Sequence, residues 1–209
     1  MRWLRCRAPA LGFLSLLFLA GMGCDAPRQV QIPLDGRTRE ALYWEPAQRL
    51  SPAVLLVAPA GQEKESWALL GARLRKQGYG VLALELSAGA GARDELRGAF
   101  EYLRLRKKVD AARIGIVGAD EAANAALEFA AREPLVRLVV LLSPGAKATE
   151  ADTVAPLRDY GFRPILLVGE DGQAAPAVKQ LTAASGGRAT VSRAQASQDE
   201  LVAFLARHL

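Results

Sequence analysis

Short apolar runs and amphipathic stretches alternate along most of this 209-residue chain. "PAVLLVAPA" (52–60), "YGVLALEL" (79–86), residues 114–119, "LVRLVVLLS" (135–143) and "RPILLVGE" (163–170) are apolar over the length of a strand. Strands buried on both faces of a parallel sheet have this pattern. Ahead of them, "VQIPL" and "REALYWEP" alternate around the turn signal "DGRT" (35–38) and predict a β-hairpin. Trp67, Leu70 and Leu74 share one face of a helix over about 64–77, which Gly78 ends. Leu96, Phe100 and Leu103 do the same within "RDELRGAFEYLRLRKKV" (93–109), whose basic tail suits a C-terminal helical turn. Further helices are expected over 120–132, near 174–184 and over "QDELVAFLARHL" (198–209), with a last strand in "RATVSR" (188–193). Strands alternating with helices predict an α/β domain, a mainly parallel sheet of about seven or eight strands with helices on both faces. No internal repeat, linker or low-complexity block divides it, so residues 30–209 make one domain behind a polar tether, 24–29.

The first 23 residues follow another pattern. "MRWLRCR" carries three arginines and no acid, and "APALGFLSLLFLAGMG" is an apolar run too short to span a bilayer comfortably. This is the organisation of a secretory signal peptide, and the competing reading is a short retained membrane anchor. "LAGMGC" puts small residues just before Cys24 and resembles the bacterial lipobox, at which the signal is cut and the cysteine acylated. Gly21 stands where a lipobox usually has Leu or Val, and ordinary cleavage with Cys24 as a stray thiol is the alternative. The expectation is an exported protein attached to a membrane of the cell envelope through a lipid on Cys24.

That segment also changes the charge. The whole chain carries +5, but without residues 1–23 it has 24 Lys and Arg against 22 Asp and Glu, so a nucleic-acid partner loses its main support. Cys6 leaves with the signal, and Cys24 alone cannot form an internal disulfide. No group of His, Cys or carboxylates has metal-ligand spacing, and "SAGAGA" (87–92) lacks the G-x-G-x-x-G order of a dinucleotide site. Neither a metal nor a cofactor is expected.

"VDAARIGIVGADEAANAAL" (109–127) is similar to a segment of the α/β-hydrolase superfamily, in its dienelactone-hydrolase-like branch. There a Val-Asp-Pro-x-Arg-Ile-Gly lead enters a strand that ends in G-x-S-x-G. "QGYGVLALEL", "VVLLSPG" and "PILLVGED" resemble the other core strands of that family, in the same order. The resemblance covers about residues 30–209. It implies an α/β-hydrolase fold without a cap domain, and a serine, a histidine and an acid acting together on an ester or lactone.

The chain departs from that pattern where the chemistry would sit. G-x-S-x-G falls on Gly118, Ala119, Asp120, Glu121 and Ala122, so Asp120 replaces the nucleophilic serine. The acid position falls on Asp171, with Glu170 as the alternative, although Asp-Gly is equally an ordinary turn pair. The histidine position lies in "RAQASQ" (193–198), where Gln195 is the nearest equivalent. His208, the one histidine of the chain, comes at the far end of the closing helix. The resemblance places oxyanion-hole donors on the backbone N–H of Glu121 and on Ala60 or Gly61 in "PAGQ" (59–62), where a carboxylate at Asp120 would repel the anion to be bound.

Two roles for Asp120 stay open. As the N-cap of helix 120–132 it would bond an unpaired backbone N–H, with Glu121 adding favourable charge in the first turn. As an aspartate nucleophile of the haloalkane-dehalogenase kind it would still need a histidine to activate the water that releases the product. The expected function is noncatalytic, the binding of a small molecule or an envelope protein at the old active-site face. The alternative is a weak carboxylic-ester or lactone hydrolase that uses Asp120 or a site of another kind.

Overall fold

The computed structural model describes residues 26–89, 91–144, 150–169, 175–192 and 198–209. An antiparallel hairpin opens the domain, β1 (Arg28–Leu34) and β2 (Arg37–Trp44). There follow β3 (Ser51–Ala58), a 3₁₀ turn (Lys64–Trp67) running into α1 (Ala68–Lys76), β4 (Gly80–Glu85) and α2 (Gly91–Arg104). The central unit is β5 (Val109–Ala119) with α3 (Asp120–Arg132). The chain closes with β6 (Val136–Leu142), α4 (Glu150–Tyr160), β7 (Ile165–Val168), α5 (Ala175–Ala184), β8 (Thr190–Ser192) and α6 (Gln198–His208). The eight strands form one sheet in the order β1-β2-β4-β3-β5-β6-β7-β8. All neighbours from β4 to β8 are parallel, and β2 runs antiparallel to β1 and β4. The expected mainly parallel sheet is present, covered on both faces.

Successive side chains of a strand point to opposite faces, so each apolar strand feeds two cores. Leu55 and Val57 pack on one side with Leu96, Phe100, Ala123, Leu157 and Leu181. Val54, Leu56 and Ala58 pack on the other with Trp44, Leu70, Leu74, Phe204 and Leu205. Four of the six buried residues of α3 are alanines, Ala122, Ala123, Ala126 and Ala130, with Leu127 and Phe129 beside them, and the alanines let the start of the helix approach the sheet closely.

Two elements differ from the pattern-based expectation. α2 stops at Arg104 instead of continuing through the basic tail, because Val109 is drawn into β5, where it pairs with Ser51, and Leu105 is left 66% exposed. α4 was not foreseen at all. Pro156 lies inside it, and of its described residues only Leu157 and Tyr160 are buried, so neither composition nor period marks a helix.

The segment after α4 locks that helix to the sheet. Arg163 donates to the carbonyls of Ala130 (2.6 Å), Glu133 (2.9 Å), Val136 (2.8 Å) and Tyr160 (3.0 Å). Its guanidinium lies 4.2 Å from the Tyr160 ring centroid, and the Tyr160 hydroxyl donates to the Pro164 carbonyl at 2.7 Å. The carbonyls at the end of α3, which have no acceptor role left within the helix, thus gain a charged partner.

Candidate functional site

Strand register brings the functional loops to one edge. Ala58 pairs with Glu85, Val57 with Gly118, Ala119 with Leu142, and Leu142 with Val168. The carboxyl ends of β3 to β7 are therefore level, and Asp120 stands at the middle of that edge, between the ends of β3 and β6.

The turn from β5 into α3 takes a single residue. Ala119 is extended at φ −113° and ψ 146°, and Asp120, the first helical residue, has φ 49°. A side chain in this left-handed region costs of order 1–2 kcal/mol, although aspartate tolerates it better than most. Gly118 makes the turn possible. A Cβ there would lie 2.8 Å from the Ala122 carbonyl oxygen and 2.8 Å from the Ala123 Cα. Ala122, in place of the motif's second glycine, is 3% exposed and fits.

The helix-cap reading of Asp120 is overturned. The cap position belongs to Ala119, with no side-chain cap bond, and Asp120 has no hydrogen-bond or ion-pair partner among the described residues. Burial, followed by the negative charge of Glu121, pushes the Asp120 carboxyl above the usual aspartate range. A carboxylate bonded to helix N–H groups would shift the other way. Asp120 is a carboxyl group held at a strained elbow with no compensating bond from the described residues.

This gives a stability test with a definite sign. A carboxyl whose folded pKa is raised contributes stability below its unfolded pKa and loses that contribution as pH rises through the folded value. At pH 7 Asp120 therefore opposes folding. Asp120→Asn, which is uncharged and also tolerates positive φ, should raise the denaturant midpoint at pH 7 with unchanged slope. The gap should close as the pH falls toward the ordinary aspartate range. A midpoint below wild type at pH 7 would restore the capping role.

One of the backbone donors expected of an oxyanion hole, the Gly61 N–H, is bonded from within the chain. Gly61 has φ 84°, and its N–H donates to Glu85 Oε1 at 2.8 Å. Glu85 ends β4, and its presence in the apolar run 79–86 was the one sequence signal for this role, which sequence reading missed. Beside it lies a polar knot that the sequence pattern did not indicate. Glu95, 1% exposed, accepts the Ser87 N–H at 2.6 Å and the Ser87 hydroxyl at 2.7 Å. Arg37 and Arg39 stand 3.6 and 3.7 Å from Glu95 Oε1, and Arg39 also donates to the Glu85 carbonyl at 3.1 and 2.8 Å. The knot fixes the exit of β4, and so the carboxylate that holds Gly61.

His208 is not brought to this edge. Its ring packs 4.6 Å from that of Phe204, and the adjoining Leu209 accepts from Arg113 at 3.4 Å and reaches Gly115, where a Cβ would meet it at 3.3 Å. Gly115 precedes Asp120 by five strand residues, about 17 Å, so the imidazole belongs to the opposite half of the sheet. Burial, then Arg207 and Arg137, depress its pKa. Asp171, Glu170, Gln195 and Cys24 lie outside the described residues. Among the described residues no group of three or more His, Cys, Asp or Glu could hold a metal, and no helix is long and apolar enough to cross a membrane.

No protein-family model matches the chain, and no curated protein matches it by sequence. Solved structures do. A hypothetical protein from Pseudomonas aeruginosa is 15% identical with a TM-score of 0.73, covering 94% of this chain and 100% of its own. A thermophilic carboxylesterase cloned from a metagenomic library is 16% identical with a TM-score of 0.71, covering 88% and 89%. A protein assigned as a dienelactone hydrolase from Klebsiella pneumoniae is 18% identical with a TM-score of 0.69, covering 87% and 98%. With the sheet order, the one-residue elbow after β5 and these likenesses taken together, the chain has the α/β-hydrolase fold.

Proposed function

We propose that this is an exported, lipid-anchored protein that uses the elbow edge of an α/β-hydrolase fold to bind a small molecule or an envelope protein and does not turn over esters. The reading rests on the Asp120 carboxyl, strained and without a bonding partner among the described residues, on the same sheet edge as a Gly61 N–H already satisfied by Glu85. An ionised carboxylate only accepts hydrogen bonds, so the ligand it suits presents a cation or N–H and O–H donors. An acyl oxyanion finds two carboxylates where it needs donors.

The elbow geometry also favours a second reading, hydrolysis with Asp120 as nucleophile, and the hydrolase names of the similar structures support it coarsely. In that chemistry the carboxylate displaces a leaving group and forms an ester on itself, and a base must then activate water to cleave it. A repair series separates the two. Asp120→Ser alone should give no esterase activity on short acyl esters, because the new hydroxyl has no base. Asp120→Ser with Gln195→His should give a trace, since triad members act as a unit. Robust activity from the single change would reveal a base and overturn the noncatalytic reading.

A further inference from the structure

We infer that the end of the domain opposite the elbow is a docking face for an anionic lipid surface. Five large apolar side chains among the described residues are well exposed, and four of them, Leu50 (69%), Leu105 (66%), Leu135 (48%) and Phe162 (91%), sit at this end. Each lies on a segment entering the amino end of a parallel strand: Leu50 before β3, Leu105 before β5, Leu135 before β6 and Phe162 before β7. Water-exposed apolar groups gathered on one end of a domain mark an interaction surface.

The charge there is positive. Arg49, Lys107 and Arg137 stand on the same entering segments or at the start of β6, are exposed, and have no carboxylate partner among the described residues. Of the carboxylates at this end, Glu45 is held by Arg28 and Lys108 and Asp110 by Arg113, Glu133 accepts the Leu135 N–H at 3.1 Å, and Asp159 is exposed, so the bases outnumber the acids there. Helix direction explains some bases at this end, since α1, α3 and α6 finish here with Arg75, Arg132 and Arg207 in their last turns. It does not explain cations on the strand-entry segments, nor the exposed leucines and phenylalanine between them. Basic side chains interleaved with apolar ones match the interface of an anionic bilayer, which attracts the first and solvates the second.

The path of the chain favours lipid over a soluble partner. β1 begins at Arg28, which pairs with Tyr43, next to Trp44, which pairs with Val81 at the start of β4. The domain is therefore entered from the same end as the apolar and basic cluster. Four residue steps separate Arg28 from Cys24, a span of at most about 14 Å. An acyl chain on Cys24 would hold this end against the membrane, with the elbow facing away, because the strands between them rise about 20 Å. The orientation rests on the proposed attachment at Cys24, whereas the affinity of the face for anionic lipid does not.

The test is hydrogen exchange on the full chain in vesicles of phosphatidylcholine containing phosphatidylglycerol, compared with phosphatidylcholine alone. On the anionic vesicles, amides of 105–108, 135–137 and 161–163 should gain at least about tenfold protection, while 60–62 and 120–122 should not change. The triple variant Arg49→Glu, Lys107→Glu and Arg137→Glu, and separately Phe162→Ser, should return the pattern to that of neutral vesicles. All four positions are exposed, so unchanged thermal unfolding serves as the control for folding. Equal exchange on both vesicle types, or protection at the elbow, would overturn the proposal. So would protection that appears on neutral vesicles and grows with protein concentration, which would assign the face to a second copy of the chain. The mass of the amino-terminal peptide reads acylation of Cys24 in the same sample. An unacylated chain with the expected footprint would sink the anchoring reading and leave the docking face standing.

Discussion

Arg163→Ala is expected to destabilise the domain by about 2–4 kcal/mol, which is a large share of the 5–15 kcal/mol typical of a domain. The guanidinium is the common donor to four carbonyls from three segments, the end of α3, the entry to β6 and the end of α4. Hydrogen bonds to a charged donor contribute more than neutral ones, and carbonyls stripped of their partner inside a packed corner retain a desolvation cost. The figure is held below the sum of four bonds because the side chain is only half-buried and water can reach part of the gap. Arg163→Lys should recover less than half of the loss, since an ammonium cannot reproduce the planar fork. Chemical unfolding checks both. Equal stability of the lysine variant and the wild type would mean that charge alone, and not the geometry of the fork, holds this corner.

Gly118→Val should be more damaging still, with little folded protein accumulating, and Gly118→Ala should cost about 2–3 kcal/mol. The first atoms a Cβ meets there are backbone, the Ala122 carbonyl and the Ala123 Cα, both at 2.8 Å. Backbone within a helix cannot turn aside as a side chain does, so α3 must lift from the sheet and open its alanine face. Gly115→Ala makes an instructive control on the same strand. Its nearest neighbours are the side chains of Leu138 and Leu209, which can change rotamer, so its loss should be clearly smaller. Equal losses at the two positions would show that close helix approach is not what requires glycine at 118.

The strands were legible in the sequence because burial on two faces writes itself as an unbroken apolar run, as in "PAVLLVAPA", and the small face of α3 was legible as alanines at helical spacing. α4 was hidden because Pro156 and a mostly polar surface erase the period a helix usually shows. Asp120 was harder to read for a different reason. A cap and an elbow both place an acid where a strand becomes a helix, and what distinguishes them is the sign of one backbone angle and whether the side chain bonds the helix N–H groups, which that of Asp120 does not. Neither is encoded locally. Glu85 on Gly61 and Arg39 beside Glu95 join residues 24 and 56 positions apart, and only the fold brings such pairs together. The positions of Asp171 and Gln195 rest on resemblance alone.

Under the proposed function the elbow keeps the geometry of a hydrolase turn but does not turn over esters. Steady-state hydrolysis of short acyl esters and lactones by the wild-type protein, with Asp120→Ala measured alongside, decides this. Both proteins should release product at the rate of buffer. Turnover by the wild type that Asp120→Ala abolishes would contradict the account and make Asp120 a nucleophile.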